Sequence, residues 1–148
     1  MKKNLIIISA ILLSIIIICV IGIWNNLKKI TLQRKLNNEY EQYLNKDIYG
    51  TDVATILNKA INSNKQNGLE QKDGKYIEND TNSIIVELVM ITNEEKEKTK
   101  TYRMETIDKV GISEFIKNFN TAKFKITRIE YHEQTKKIKY IEISQQYE

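Results

Sequence analysis

The residues whose type and spacing could do chemistry are cations in the C-terminal third of the chain. They recur over two predicted strands, at Lys123, Lys125, Arg128, Lys136, Lys137 and Lys139. Such a surface could bind polyanions (DNA, a cell-wall polymer or anionic lipid), because neutralising phosphates releases counterions. Glu130, Glu133 and Glu142 intervene, and strand alternation exposes long Lys side chains in any case. A solvated sheet face is therefore the competing interpretation.

Catalysis has little support in the residue types. Hydrolysis or group transfer needs a nucleophile beside a base, and His132 is the single imidazole. It falls in a predicted hairpin turn among charged residues, which favours a solvated turn residue. Glu94, Glu95 and Glu97 could hold a divalent cation, but interleaved lysines favour a solvated charged turn. The sequence predicts a protein that is not an enzyme, with no catalytic, cofactor-binding or metal-binding residues and no cofactor.

Cysteine usage and loop composition exclude further classes of site. One Cys in 148 residues excludes a disulfide framework, a Cys-based zinc site and an iron–sulfur cluster within one chain. Cys19 follows Ile18, whereas a lipidated Cys follows a small residue, so we interpret it as an apolar filler. The sequence has no glycine-rich phosphate loop, so nucleotide binding is not predicted.

An uncharged stretch near the N-terminus must be set apart before any domain is considered. Residues 5–24 include ten Ile, three Leu and one Val, and twenty helical residues reach about 30 Å, the thickness of a bilayer core. Their insertion is favourable by about 4 to 8 kcal/mol. Trp24 suits the interface, and Lys28 and Lys29 mark the return to water. We predict a tail over 1–4 and a transmembrane helix over 5–24 that contacts membrane lipid.

Two processed alternatives fit this stretch less well, and its orientation is harder to predict. A cleaved signal peptide has a shorter apolar region and small residues at its cleavage site, which Val20-Ile21-Gly22 does not supply. A type IV pilin precursor has a Gly cleavage site before its apolar helix, and none precedes Gly22. The positive-inside count slightly favours a cytoplasmic C-terminal domain, but the short Met-Lys-Lys tail looks like an uncleaved signal anchor. We predict a cell-membrane protein with an extracytoplasmic domain.

The rest of the chain has room for one small domain. It follows a predicted helical stalk over 25–45, in which Leu32, Leu36 and Tyr40 recur on one face, so the stalk could pack on the domain or pair with a second copy. Over 46–148 the patterns predict helices beginning at Thr51 and near Ile112. Strands are predicted over 83–92, 99–106, 123–131 and 137–144, with a bulge or twist in each of the last two. The prediction is an α+β fold with a four-stranded, mainly antiparallel sheet and helices on one face.

The start of the first domain helix also carries a resemblance. Residues 49–53, Tyr-Gly-Thr-Asp-Val, lead into Ile56-Leu57-Asn58-Lys59-Ala60-Ile61 and Asn64. This pattern resembles small single-span membrane proteins of low-GC Gram-positive bacteria, and residues 124–143 resemble their closing hairpin. The resemblance implies a pilin-like layout without a prepilin cleavage motif, and it implies no activity. In this layout Gly50 would permit a sharp turn between the stalk and the domain helix.

Together these features predict an interaction or structural subunit of a bacterial surface assembly, pilin-like or associated with secretion. A protein partner or self-association through the stalk is the expected contact, and nucleic acid is not an expected partner. The alternative is a membrane-anchored module that binds polyanions through the six cations.

Overall fold

A computed structural model describes residues 2–92 and 98–147 of the chain. The chain forms two compact units, Met1–Leu36 and Asn37–Glu148. The first unit consists of most of helix α1, which runs from Lys2 to Glu41. Residues 37–41 of that helix belong to the second unit, so the segment predicted as a stalk over 25–45 is divided between the two.

The second unit, hereafter the compact unit, alternates helices and strands after α1. Their bounds are β1 Ile48–Tyr49, α2 Gly50–Gln66, β2 Gln71–Lys72, β3 Lys75–Tyr76, β4 Ile85–Ile91, β5 Thr99–Arg103, α3 Met104–Val110, α4 Ile112–Phe119, β6 Lys123–Tyr131 and β7 Ile138–Gln145. The predicted α+β class and the long apolar N-terminal helix are confirmed. The cluster Glu94, Glu95 and Glu97 lies outside the described residues.

The predicted four-stranded, mainly antiparallel sheet is wrong. The main sheet has five strands in the order β1-β6-β7-β4-β5, and β2 and β3 form a separate two-stranded sheet. β4 and β7 are parallel neighbours, while the other pairs in the main sheet are antiparallel. Parallel neighbours need a crossover, and here helices α3 and α4 carry the chain from β5 at one edge to β6.

One hydrophobic core joins the helices to alternate residues of the strands. Val86, Leu88 and Met90 of β4 are buried together with Phe124 of β6 and Ile141 of β7. The buried stripe of α2 faces them, because its apolar residues recur at helical spacing, at Val53, Ile56, Leu57, Ala60 and Ile61. Alternation along each strand leaves the second set of side chains on the opposite face of the sheet.

The strand irregularity predicted in the closing hairpin is confirmed. The pairing of β6 with β7 shifts register between Ile126 and Arg128, and again between Glu130 and Tyr131. An extra residue at each point turns the following side chains to the other face. The first bulge therefore keeps both Ile126 and Ile129 against the core, although they are three positions apart, a spacing that places residues of a regular strand on opposite faces.

Gly50 is required for a close approach and not for the turn that the sequence suggested. The turn after α1 contains Asn45, which has φ 58°, whereas Gly50 is the first residue of α2 and is buried. A Cβ at Gly50 would lie 2.1 Å from the carbonyl oxygen of Phe119. The missing side chain thus lets the start of α2 contact the end of α4. The backbone N–H of Tyr49 donates to the Asp52 carboxylate and closes the start of α2.

Candidate functional site

The register of β6 and β7 separates the predicted cations into two groups. Lys123 and Lys125 lie at the start of β6, and Lys125 is opposite Ser144. Ser144 is five residues along β7 from Lys139, which corresponds to about 17 Å. Lys136 and Lys137 lie in the turn before β7, at that second end. Arg128, opposite Glu142, lies between these two groups. The six cations are therefore close in sequence but are spread along the length of the hairpin.

Acidic groups also neutralise part of this surface. The Lys125 ammonium lies 3.6 Å from the Asp47 carboxylate. The Arg128 guanidinium forms an ion pair with Glu130 and lies over the ring of Tyr140, 5.5 Å from its centroid. A cation held by a carboxylate releases fewer counterions when a polyanion arrives. The prediction that these residues bind a polyanion is weakened by this arrangement.

The open face of the sheet is held together by hydrogen bonds between side chains. The Tyr140 hydroxyl donates to Glu87 at 2.9 Å, and the Thr127 hydroxyl donates to Glu142 at 2.7 Å. Desolvation, followed by the hydrogen bond to Glu87, raises the pKa of Tyr140 above its ordinary value. Glu87 and Glu142 are neighbours across β4 and β7. This face carries two adjacent carboxylates at its centre, which disfavours an anionic ligand there.

His132 is not the solvated turn residue that the sequence predicts. It follows β6 and is only 2% exposed, and its Nε2 lies 2.8 Å from the backbone oxygen of Ser83. The backbone N–H of His132 donates to Lys137, while its carbonyl accepts from Lys136. The hairpin turn folds against the residues before β4, and this buries the ring. His132 therefore joins two loops, and it is not positioned as an exposed base.

A polar depression beside His132 carries more acids than bases. Asp80, Glu130, Glu133 and Lys139 line it, together with Tyr131, His132 and Gln134. Within the described residues, no group of three or more His, Cys, Asp or Glu side chains is arranged to hold a metal ion. The acids at this end of the hairpin oppose polyanion binding by the nearby lysines.

An apolar cleft lies at the β5 edge of the sheet, between the ends of β4 and β5 and the helix pair α3–α4. Its walls are Met90, Ile91, Thr92, Tyr102, Thr106, Ile107, Val110, Gly111, Glu114, Phe115, Asn118 and Phe119. Val110 is 70% exposed, and Ile107 and Tyr102 are partly buried. β5 is the terminal strand of the sheet, so its outer edge adjoins the cleft without a strand partner among the described residues. Exposed apolar side chains next to an unpaired strand edge are typical of a protein contact site.

Sequence reasoning missed this cleft because it extended the second strand to Thr106. Arg103 ends β5, and Met104 begins α3, where it is completely buried. The Glu105 carboxylate, which is also buried, accepts from the backbone N–H of Tyr76 and from the Arg103 guanidinium. The spacing of Ile107, Val110 and the following Gly111 was the available signal for a short helix.

The first unit exposes its apolar side chains, in contrast to the compact unit, which buries most of its own. Its large apolar side chains from Ile7 to Ile23 are 51% to 68% exposed, and Trp24 is 61% exposed. The helix is long and apolar enough to cross a membrane. Six of the 23 Lys and Arg residues and none of the 19 Asp and Glu residues precede residue 37. Residues 37–148 thus hold 17 cations against 19 acids, a formal net charge of −2, and the excess positive charge belongs to the first unit.

No protein-family model, curated protein or solved structure matches the chain.

Proposed function

We propose that the protein is a single-pass membrane protein whose compact unit is a non-enzymatic interaction module of a bacterial surface assembly. The exposed apolar surface of α1 is the observation that carries this proposal. More than half of the surface of each large apolar side chain between Ile7 and Ile23 is uncovered by protein. In water such a surface would be strongly unfavourable, whereas hydrocarbon accommodates it and the helix satisfies its own backbone hydrogen bonds.

Two features support a binding role for the compact unit rather than catalysis. Its single imidazole, His132, is committed to the backbone of Ser83. Its apolar cleft exposes Val110, with the partly buried Ile107 next to it, beside an edge of β5 that has no strand partner among the described residues. A partner with an extended apolar segment could fill the cleft and add hydrogen bonds along that edge.

The proposal puts the compact unit on the extracytoplasmic side of the cell membrane. A reporter fused after Glu148, active on one side of the membrane only, tests this placement. Activity outside the cytoplasm is expected. Activity inside would contradict a surface assembly, while leaving the membrane anchor itself intact.

A photo-crosslinking residue at Val110 tests the cleft in intact cells. We expect a discrete adduct in the membrane fraction, because Val110 is the most exposed apolar residue of the cleft. The matched control has the crosslinker at Asn62, an exposed position of α2 outside the cleft. Equal labelling at Val110 and Asn62 would contradict a specific contact, and an adduct of twice the chain mass would identify a second copy as the partner.

The alternative, a polyanion-binding module, is the second candidate. The observations disfavour it, since five of the six cations are divided between two ends of the hairpin, Arg128 between them is paired with Glu130, and the compact unit is net acidic.

A further inference from the structure

One face of α1 just beyond the apolar stretch combines an aromatic ring with two cations. Trp24, Lys28, Thr31 and Lys35 follow one another at intervals of four, three and four residues, so they lie in one line along the helix. With Leu27 and Leu32 they line a shallow depression on the surface of the first unit. The Lys28 ammonium lies over the Trp24 ring, 5.7 Å from its centroid.

Lys28 and Lys29 have no acid within a helical turn, and Glu39, one turn beyond Lys35, is paired with Lys59. The first acidic residue of the sequence is Glu39, and Lys28, Lys29, Arg34 and Lys35 are all exposed. No ion pair of these four cations is found within the described part of the chain. The Thr31 hydroxyl donates to the backbone oxygen of Leu27, so the positive charge of this face comes from the lysines.

We propose that the face formed by Trp24, Lys28 and Lys35 binds the phosphate of an anionic phospholipid headgroup. The inference rests on the proposed function, because it requires the apolar stretch to lie in a bilayer. Trp side chains settle at the boundary between hydrocarbon and headgroups. With Trp24 at that depth, Lys28 lies about 6 Å further along the helix axis, within the headgroup layer.

Lys35 is further from the bilayer but is directed toward it. Its Cα lies about 16 Å beyond that of Trp24 along the axis. Helical side chains tilt toward the N-terminus, so the long Lys35 side chain leans back toward Thr31 and the lipid. An anionic headgroup beside Trp24 would thus contact the Lys28 ammonium and feel the charge of Lys35 from about one Debye length away, and the leucines next to them would contact the upper acyl chain.

The single Trp makes this face measurable in the intact protein. The chain is reconstituted in vesicles of phosphatidylcholine mixed with phosphatidylglycerol, with brominated acyl chains on one lipid at a time. Bromine quenches Trp fluorescence at short range, so the ratio of the two quenching curves reports which lipid lies beside Trp24. We expect a preference for phosphatidylglycerol of about threefold to fivefold, decreasing as salt is added.

Charge-matched variants separate this face from the rest of the segment. The double substitution Lys28→Gln and Lys35→Gln should bring the ratio to about one, whereas Lys28→Arg with Lys35→Arg should preserve it. Lys29→Gln with Arg34→Gln removes the same charge from other faces and should leave most of the preference. Equal losses in the two neutral pairs would overturn the assignment to this face. Equal quenching of the unsubstituted chain by both lipids would overturn the lipid preference while supporting the anchor, and absence of quenching by either lipid would overturn the anchor.

Discussion

Residues 1–36 and residues 37–148 differ in where they keep apolar side chains and in how they carry charge. The compact unit buries its aliphatic residues in one core between helices and sheet, and it holds slightly more acids than bases. The first unit exposes its Ile and Leu residues and carries cations without acids. The hydrophobic effect accounts for a buried apolar core in one unit and an exposed apolar surface in the other only if the two units meet different solvents. A positive charge next to an apolar helix also matches the negative surface of a membrane.

The comparison changes how the net charge of +4 is interpreted. A basic protein of this size could be taken as one that binds polyanions over its folded surface. Here the excess lies on the two sides of the apolar stretch, with two cations before it and four after it. Several cations of the compact unit are instead balanced locally, as Lys125 is by Asp47 and Lys59 is by Glu39, at 3.2 Å.

The largest effect is expected from placing two charges in the apolar stretch, which tests whether the first unit lies in lipid. Ile15→Lys combined with Ile16→Lys should make membrane insertion less favourable by about 6 kcal/mol, because each ammonium would lie near the bilayer centre. After alkaline extraction, the unsubstituted chain should stay in the membrane pellet and the variant should leave it. Asn62→Lys with Gln66→Lys adds the same charge at exposed positions of α2 and should not change the fractionation. If both variants remain in the pellet, the stretch does not anchor the chain.

In the compact unit, the largest effect is expected at Gly50. In Gly50→Ala the new Cβ would lie 2.1 Å from the oxygen and 2.6 Å from the carbon of the Phe119 carbonyl, so a backbone segment must move. We expect a loss of about 3 kcal/mol of unfolding free energy, measured by near-ultraviolet circular dichroism on heating in detergent. Thr51→Ala, at the exposed next residue, should have little effect. An unchanged midpoint for Gly50→Ala would contradict the close contact between α2 and α4.

The next largest loss of unfolding free energy is expected at a buried amide side chain. Asn64 is fully buried, and its side chain both donates to the backbone oxygen of Ile84 and accepts from the backbone N–H of Ile84. Asn64→Ala leaves both backbone groups unpaired in the core and should cost about 2 to 3 kcal/mol. Asn67→Ala is the control, since Asn67 is exposed and makes longer hydrogen bonds of 3.4 Å. Equal shifts in the two variants would show that burial of the Asn64 amide contributes nothing.

Binding to an anionic column compares the charges of the two units directly. Neutralising Lys28, Lys29, Arg34 and Lys35 with Gln should remove most of the salt-dependent retention of the detergent-solubilised chain. The same change at Lys123, Lys125, Lys137 and Lys139 should lower the eluting salt concentration far less. The reverse order would restore the alternative of a polyanion-binding module.

Local patterns were sufficient for several elements of the fold. β6 covers Lys123–Tyr131, which are the residues predicted from alternation, and its bulge follows from the change of apolar phase between Ile126 and Ile129. The helix predicted near Ile112 is α4, Ile112–Phe119. Each of these signals lies within one segment, so the sequence of that segment contains it.

Features that depend on distant residues were not predictable in the same way. The parallel pairing of β4 with β7 results from a crossover that includes α3, and a seven-residue helix after a strand leaves a weak pattern. His132 resembles a solvated turn residue until Ser83 is brought to its Nε2. The apolar cleft likewise requires β4, β5, α3 and α4 to meet, so the sequence indicated its residues without their arrangement.

The smallest predicted effect concerns a hydrogen bond at the end of α1 within the compact unit. The Tyr131 hydroxyl donates to Glu41 at 2.7 Å, and burial, followed by this bond and the charge of Glu41, raises the pKa of Tyr131 to about 12. A raised phenol pKa means that the neutral form is favoured by folding. Its contribution to stability is therefore complete below the ordinary value of about 10 and is lost as the pH rises through about 12.

Tyr131→Phe should remove that pH-dependent contribution. Because Tyr131 is 42% exposed, solvent screens the interaction, and we expect a difference in unfolding midpoint of only a degree or two at neutral pH. The difference between the two proteins should shrink as the pH is raised from about 9 to about 12. Tyr49→Phe, at a side chain that is 43% exposed, controls for loss of a hydroxyl. If the difference in midpoint between the two proteins grew with pH, folding would favour the ionised phenolate of Tyr131. That outcome would contradict a hydrogen bond donated by the phenol to Glu41.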